Sequence, residues 1–223
     1  MESVIKPHKR KRRCRGIILN VIIIVLVVLI LFQIVFSLTY TRVYVIQDSM
    51  LPTLNGAERD GVSGGDYVLI YDGSPDYGKI VVVKRYDNST GESKTLIKRV
   101  IALGGDTVYL DHGKLYIKYK GTDDFVLVEE SYVTDEKNNP DEPYNTFPQK
   151  TDGSLDVTGH TVADGYMFLL GDNRNISVDS RASYGDFSVD ELVGIVSDWS
   201  VSCKDFLTSW YTFWDFTLPG VFS

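Results

Sequence analysis

The chain has 223 residues, 24% of them charged and 43% hydrophobic, and a net charge of −7. That length holds one ordinary globular unit or two small ones, and that balance excludes both a disordered chain and a membrane protein of many spans. The charge is unevenly placed: residues 1–16 hold seven Lys/Arg against one acid, Glu2, which leaves 16 basic and 29 acidic residues beyond them. A remainder so acidic repels a phosphate backbone, so the basic cluster is not a nucleic-acid footprint and no nucleic acid is expected as a partner.

The basic tail, 1–16, leads into 17–36, twenty residues in which Asn20 and Gln33 alone are clearly polar. At ~1.5 Å per residue a helix of that length spans roughly 30 Å, the hydrocarbon thickness. A cleaved secretory signal has a shorter apolar core and a small-residue cleavage site, whereas this run ends in Phe36-Ser37-Leu38-Thr39-Tyr40-Thr41-Arg42. Residues 17–37 are therefore read as a retained, single transmembrane anchor in a lipid bilayer. The Lys/Arg flank places the N-terminus in the cytoplasm and everything from Leu38 on the far side. Cys14 and Cys203 then lie on opposite sides and cannot pair. His8, His112 and His160 are scattered and read as surface histidines; no metal-ligand spacing exists, and neither a metal nor another cofactor is expected.

From residue 43 the texture is short β-rich runs bounded by turn residues: 43–46, 67–71, 80–83, 95–97 with 100–101, 107–110, 115–117 and 166–170. Asp111-His112-Gly113-Lys114 reads as a hairpin turn. The expected fold is mainly β: one N-terminal transmembrane helix, then an exported β-rich core from 38–118 and 166–200. Residues 119–165, rich in Asp, Glu, Asn, Pro and Gly, read as an inserted acidic lobe that carries no motif. In 201–223, Phe206, Trp210, Phe213 and Trp214 recur at helical spacing. A terminal helix packed on its own domain and a helix lying among lipid headgroups fit that spacing equally well. A second span fits less well, because Asp215 and Pro219-Gly220 interrupt it.

Two serines compete as nucleophile. Gly61-Val62-Ser63-Gly64-Gly65 fits the G-x-S-x-G elbow, but that elbow needs a strand before it and a helix after it. Here the preceding residues are loop-like and a strand follows, so Ser63 is read as a turn serine. Ser49 lies in Val45-Ile46-Gln47-Asp48-Ser49-Met50-Leu51-Pro52-Thr53-Leu54, where a β run delivers the chain to it and Pro52 stops the strand. Taken alone, such a serine is more often a turn former. Lys98 interrupts the apolar run 95–103. On an alternating strand Leu96, Lys98 and Val100 share a face, which lets Lys98 point into the core while Arg99 points away; a lone lysine defaults to a solvated face. The loop 171–185 leaves an apolar strand with a density of hydroxyl, amide and Asp/Arg groups that befits a hydrogen-bonded loop packed against a site.

Together these blocks resemble the bacterial type I signal peptidases, membrane-anchored serine proteases that use a Ser/Lys pair. Ser49-Met50-Leu51-Pro52-Thr53-Leu54 is similar to the family's nucleophile box, Gly65-Asp66-Tyr67-Val68 to the short strand after it, and Lys98-Arg99-Val100-Ile101 to its general-base box. Gly171-Asp172-Asn173-Arg174 with Ser177, Asp179, Ser180, Arg181 and Gly185 is similar to its G-D-N-R…S-x-D-S-R box. The likeness covers the anchor, 43–110 and 166–195. It implies a serine endopeptidase that removes N-terminal signal peptides from exported pre-proteins, without a cofactor, as a monomer in the cell membrane with its catalytic domain outside. It further implies Ser49 as nucleophile, Lys98 as base, Ser177 orienting the amine, and Asp179 with Arg181 as a supporting ion pair.

Three positions depart from the family pattern. Gln47 stands where some members have a serine hydroxyl aimed at the oxyanion, so either its amide substitutes or backbone N–H acts alone. Gly104-Gly105-Asp106 replaces the usual P-G-D, and Lys79 replaces an acid. A lysine at its ordinary pKa of about 10.4 is protonated near neutrality, so the chemistry demands an apolar pocket that lowers it towards about 7 to 8. An extended substrate is expected along Tyr44, Val45, Ile46 and Met50 and along Leu96 and Ile97, with small side chains in shallow pockets. Ser49 lies 13 residues beyond Phe36, at most roughly 43 Å of chain, which keeps the cut close to the bilayer. A sortase would need a reactive cysteine with histidine and arginine, and a penicillin-interactive enzyme would need S-x-x-K; neither pattern is present in the part beyond the anchor. The non-enzymatic alternative is a membrane-anchored surface or scaffold protein derived from a peptidase. The sequons at Asn88 and Asn175 matter only in a eukaryotic lumen, and a lysine at 98, where endoplasmic reticulum relatives carry histidine, favours a bacterial source.

Overall fold

The computed structural model describes residues 8–57, 64–87, 91–182 and 184–215; Ser63 and the sequon at 88–90 lie outside them. The chain forms two units, 1–41 and 42–223. In the first, α1 (His8–Thr39) includes Gly16–Thr39, a stretch of mean hydropathy 3.3 with none of its apolar window buried. Ile24, Phe32 and Val35 are each more than 60% exposed. A helix that is apolar all round and unburied within its own unit belongs in a bilayer, and the chain is anchored in a membrane by it.

The second unit is built on eleven strands among the described residues: β1 (Thr41–Tyr44), β2 (Tyr67–Tyr71), β3 (Ile80–Asp87), β4 (Glu92–Leu103), β5 (Thr107–Asp111), β6 (Lys114–Lys118), β7 (Val126–Val128), β8 (His160–Thr161), β9 (Tyr166–Leu170), β10 (Phe187–Ser188) and β11 (Leu192–Val196). They form a seven-stranded sheet in the order β1-β2-β11-β3-β4-β9-β10 and a four-stranded sheet in the order β7-β6-β5-β8. The fold is thus mainly β, as expected. The two runs anticipated at 95–101 are one strand, β4, paired antiparallel to β3 with Val81 opposite Lys98 and Ile80 opposite Arg99. Two adjacent cations do not break it because each finds a buried partner.

The long β4 carries one core on each flank. Val81, Val83, Val100, Met167, Leu169, Phe187 and Ile195 form one cluster, and Val45, Met50, Leu54, Val68, Ile70, Ile80, Val82 and Val196 another. Past a register shift between Val100 and Ala102, the strand joins Ile101, Phe168 and Leu170 to the small sheet's Val108, Leu110, Leu115 and Ile117. Burying Phe168 alone contributes roughly 2 to 3 kcal/mol. His112 and Gly113 both have positive φ, 47° and 80°, as a two-residue hairpin between β5 and β6 requires.

The segment 119–165 adds β7 and β8 to this small sheet and otherwise runs in turns, including short 3-10 turns at Asp135–Lys137 and Pro143–Asn145. The aromatic run begins in α3 (Lys204–Asp215), which follows the short α2 (Asp198–Ser202); residues 216–223 lie outside those described.

Candidate active site

Ser49 does not end a strand. Val45 is already committed, its N–H to Asp66 O at 3.0 Å and its carbonyl to the Ala57 N–H at 3.1 Å. The chain then enters a single 3-10 turn, Asp48–Met50, before Pro52. Met50 and Leu54, both fully buried, fix that turn in the core, so the Ser49 side chain is held at 7% exposure by its neighbours. The loop after β9 clamps the turn from the other side: Asn173 N–H donates to Ser49 O at 3.0 Å and Asn173 Nδ2 to Asp48 O at 3.2 Å. Among the described residues no carbonyl takes the Ser49 N–H. Gly171 is required for the clamp, since a Cβ there would lie 2.4 Å from Ser49 O and 2.3 Å from Ser177 Oγ.

Lys98 reaches this turn from β4. Its Nζ lies 2.8 Å from Ser49 Oγ and 3.0 Å from Ile97 O, and the residue is 2% exposed. Burial pushes its pKa down from 10.5 to about 8, against the opposing pull of the Asp179 and Asp172 carboxylates. Near pH 8 about half the molecules therefore hold a neutral amine beside an alcohol, the state a proton acceptor needs.

Three arginines neutralise the surrounding acids. Arg181 grips Asp179 through Nε and Nη2, both at 2.9 Å, and donates to Asn145 Oδ1 at 2.6 Å. Asp179 is buried, which alone would raise its pKa, yet Arg181 holds the carboxyl below its ordinary range. Arg99 grips Asp172 at 2.8 and 2.6 Å, and Thr53 Oγ1 donates to the same carboxylate, which ties all three sequence blocks together. Arg174, with no exposed side-chain surface, donates to both oxygens of Glu130 at 2.8 and 2.5 Å, and the Tyr132 hydroxyl adds a bond to Glu130 at 2.6 Å. The Tyr132 ring also lies 3.8 Å from the Arg99 guanidinium carbon.

Glu130, Tyr132 and Asn145 come from the segment read as motif-free, and sequence reasoning missed them. One signal was available: Arg99, Arg174 and Arg181 flank buried strands and each needs a counter-charge, whereas the conspicuous blocks offer Asp172 and Asp179 for two of them. Arg99 was expected to point away; it lies across β4 from the lysine but is itself buried at 8% exposure.

The other expected residues divide. Ser177 is buried beside Asp179 and helps hold that carboxyl low, but it is not among the hydrogen-bond partners of the Lys98 amine, and its Oγ makes no well-formed hydrogen bond among the described residues. Gln47 is exposed. Tyr44 and Ile46 are exposed and Leu96 and Ile97 half-buried, whereas Val45 and Met50 are core side chains at 1% and 0% exposure with no surface to offer a substrate. A cavity of about 410 Å³ lined by Tyr144, Asn175, Ile176, Ser177, Val178 and Ala182 opens beside the loop. Lys79 pairs with Asp198 at 2.5 Å on the surface, away from the pair. His160 is not a plain surface residue: it is half-buried, and its Nε2 bonds Asp186 at 2.9 Å. Among the described residues no cluster of His, Cys, Asp and Glu is arranged to hold a metal.

A model of the family described as "Signal peptidase, peptidase S26" matches residues 15–199. The chain is 35% identical over 152 residues to signal peptidase I S of Bacillus subtilis strain 168, covering 68% of this chain and 72% of that protein. It is 32% identical over 190 residues to signal peptidase I U of the same strain, covering 85% and 89%. A crystal structure of a signal peptidase I from Enterococcus faecalis V583 overlaps 56% of this chain and 98% of its own, at 29% identity and a TM-score of 0.41. The class is that of the serine endopeptidases. Within it the chain belongs to the signal peptidase family, peptidase S26, whose activity is the removal of signal peptides from pre-proteins; the non-catalytic scaffold reading is not favoured.

Proposed function

We propose that Ser49 is the nucleophile and Lys98 its general base. Neutral Lys98 Nζ takes the Ser49 hydroxyl proton as Oγ attacks the scissile carbonyl, and a C–O bond forms while the carbonyl oxygen becomes an oxyanion. The ammonium then returns the proton to the leaving amine as the C–N bond breaks. Water, deprotonated by the same amine, hydrolyses the ester and regenerates Ser49. The Ser49 backbone N–H stabilises the oxyanion, with the exposed Gln47 amide as a second donor. Ser177, Asp179 and Arg181 hold the amine's surroundings in place. The observation that carries this reading is the 2.8 Å separation of a buried amine from a buried hydroxyl.

The substrate runs extended past Tyr44 and Ile46 and along Leu96 and Ile97, the accessible members of the expected set. The enzyme acts as a monomer with its N-terminus in the cytoplasm and residues 42–215 outside, where the short tether from Phe36 keeps Ser49 near the emerging precursor. The core formed by 38–118 and 166–200 does the chemistry, and 119–165 braces it.

Ser49→Ala and Lys98→Ala should each abolish cleavage of a membrane-inserted precursor, while Gln47→Ala should impair it without abolishing it. Near wild-type turnover in either of the first two variants would overturn the assignment. Protease added to intact spheroplasts should digest the domain and spare the tail; the opposite pattern would reverse the topology.

A further inference from the structure

Beside the reacting pair, β4 is flanked unequally on its two edges. Leu96 and Ile97 face Val83 and Val82 of β3 on one side, whereas among the described residues β9 joins the other side only from Arg99, opposite Leu170. A substrate laid along Leu96 and Ile97 therefore takes up the edge that β9 leaves, in line with β9 itself. Just past Lys98 it meets Gly171, where β9 gives way to the loop and where a Cβ would lie 2.4 Å from Ser49 O. The cut thus falls where the run along β4 ends, and the chain beyond the cut leaves over the loop 171–182.

The cavity of about 410 Å³ opens in that loop. Ligand pockets run from about 300 to 1,000 Å³, so this one has room for a large side chain with the backbone on either side of it. Tyr144, Ile176 and Val178 give it an apolar wall and are 54%, 59% and 50% exposed. The wall is fixed in advance. Arg181, which grips Asp179, also donates to Tyr144 O at 3.3 Å, and Asn175 accepts from the Asn139 N–H at 2.7 Å and donates to Glu136 O at 3.1 Å. Ser177 lines the same cavity at 6% exposure, and its Oγ makes no well-formed hydrogen bond among the described residues. A buried hydroxyl in that state is matched by the backbone N–H and C=O groups of an incoming peptide.

We infer that this cavity receives the substrate beyond the cut: it takes one large apolar side chain from the first two residues of the released protein, and Ser177 Oγ bonds that stretch of backbone. Successive side chains of an extended chain point to opposite faces, so only one of those two positions enters. The placement rests on Ser49 and Lys98 as the reacting pair. Selection then has two parts, shallow pockets before the cut and a roomy apolar one after it, the second built in part by Tyr144 from the segment 119–165.

The test gives the micelle-solubilised full chain a set of peptides that are identical up to the cut and carry glycine, leucine or phenylalanine at the first or the second position after it. The readout is the ratio of kcat/KM for the leucine or phenylalanine peptide to that for the glycine peptide, which cancels any general loss of activity. In the wild-type chain that ratio should reach at least about tenfold at one of the two positions and stay within about twofold at the other. Tyr144→Ala strips the apolar wall and Ala182→Leu fills the space, so each should bring the high ratio below about threefold. A wild-type ratio within twofold at both positions would overturn the inference, as would a tenfold ratio that survives both variants, which would place the selection elsewhere. Hydrolysis of the peptides by the Ser49→Ala chain would remove the reacting pair and this inference with it. Equal rates for all the peptides in the wild-type chain, lost in Ser49→Ala, would remove this inference alone.

Discussion

Replacing Lys98 by methionine separates the cost of the buried amine from its use. Burial lowers the Lys98 pKa from 10.5 to about 8. Below pH 8 the folded protein must keep a charge it solvates poorly, and that costs about 3 kcal/mol at ~1.4 kcal/mol per pH unit. Between about pH 8 and 10.5 the unfolded chain binds this proton and the folded chain does not, so stability rises with pH across that window. The penalty is therefore whole below pH 8 and nearly gone by 10.5. Methionine fills similar space and removes the penalty at every pH. It also forfeits the bonds to Ser49 Oγ and Ile97 O, worth about 1 kcal/mol each but independent of pH. Denaturant unfolding of the micelle-solubilised chain, wild type against Lys98→Met, should give a stability difference that favours the variant by about 3 kcal/mol more at pH 6.5 than at pH 10.5. A difference that does not change with pH would refute the reasoning, because the amine would then be titrating as it does in water. In the active enzyme the same titration makes kcat/KM rise with pH towards a plateau above about 8.

Gly171→Ala drives a Cβ to 2.4 Å from Ser49 O, so it should lower kcat at least tenfold while the protein still folds, as read by a precursor-cleavage time course alongside circular dichroism. Glu130→Gln leaves the fully buried Arg174 without its counter-charge and should cost about 3 to 5 kcal/mol in denaturant unfolding. Asp179→Asn removes the carboxylate that raises the Lys98 pKa, so the rising limb of the pH–rate profile should move to lower pH. The hydrogen bond to Asp186 raises the His160 pKa. Stability from that pair is present below about pH 6.5 and is lost as pH rises through the raised value, so Asp186→Asn should destabilise at pH 5.5 but not at pH 9, by less than about 1 kcal/mol for a partly exposed pair.

The strands, the anchor and the Ser49 and Lys98 positions were legible because each is a local pattern: alternation, a twenty-residue apolar run, a lysine among aliphatics. The 3-10 turn at Ser49 was not, because what makes it is the burial of Met50 and Leu54 against strands up to about 150 residues away in sequence, such as Val196. The roles of Val45 and Met50 were misread for the same reason. Their neighbours in sequence belong to the site, but their side chains belong to the core. The bracing by 119–165 was illegible in kind, because Glu130 and Tyr132 sit in a stretch whose composition looks solvated, and their burial follows from an arginine 44 residues away.

Burial explains why the Lys98 amine can shed a proton at all, and the charges around it oppose that loss. Two carboxylates, Asp172 and Asp179, face it and pull its pKa up, but burial is the larger effect. Each is gripped through both oxygens by an arginine, Arg99 and Arg181, so the set of four carries no net charge. Desolvation then decides the amine's state. Those arginines need bracing of their own, which Tyr132 supplies beneath Arg99 and Asn145 beside Arg181. The acidic segment thus acts on the site at one remove: it braces the arginines that pair with the two carboxylates nearest the Lys98 amine.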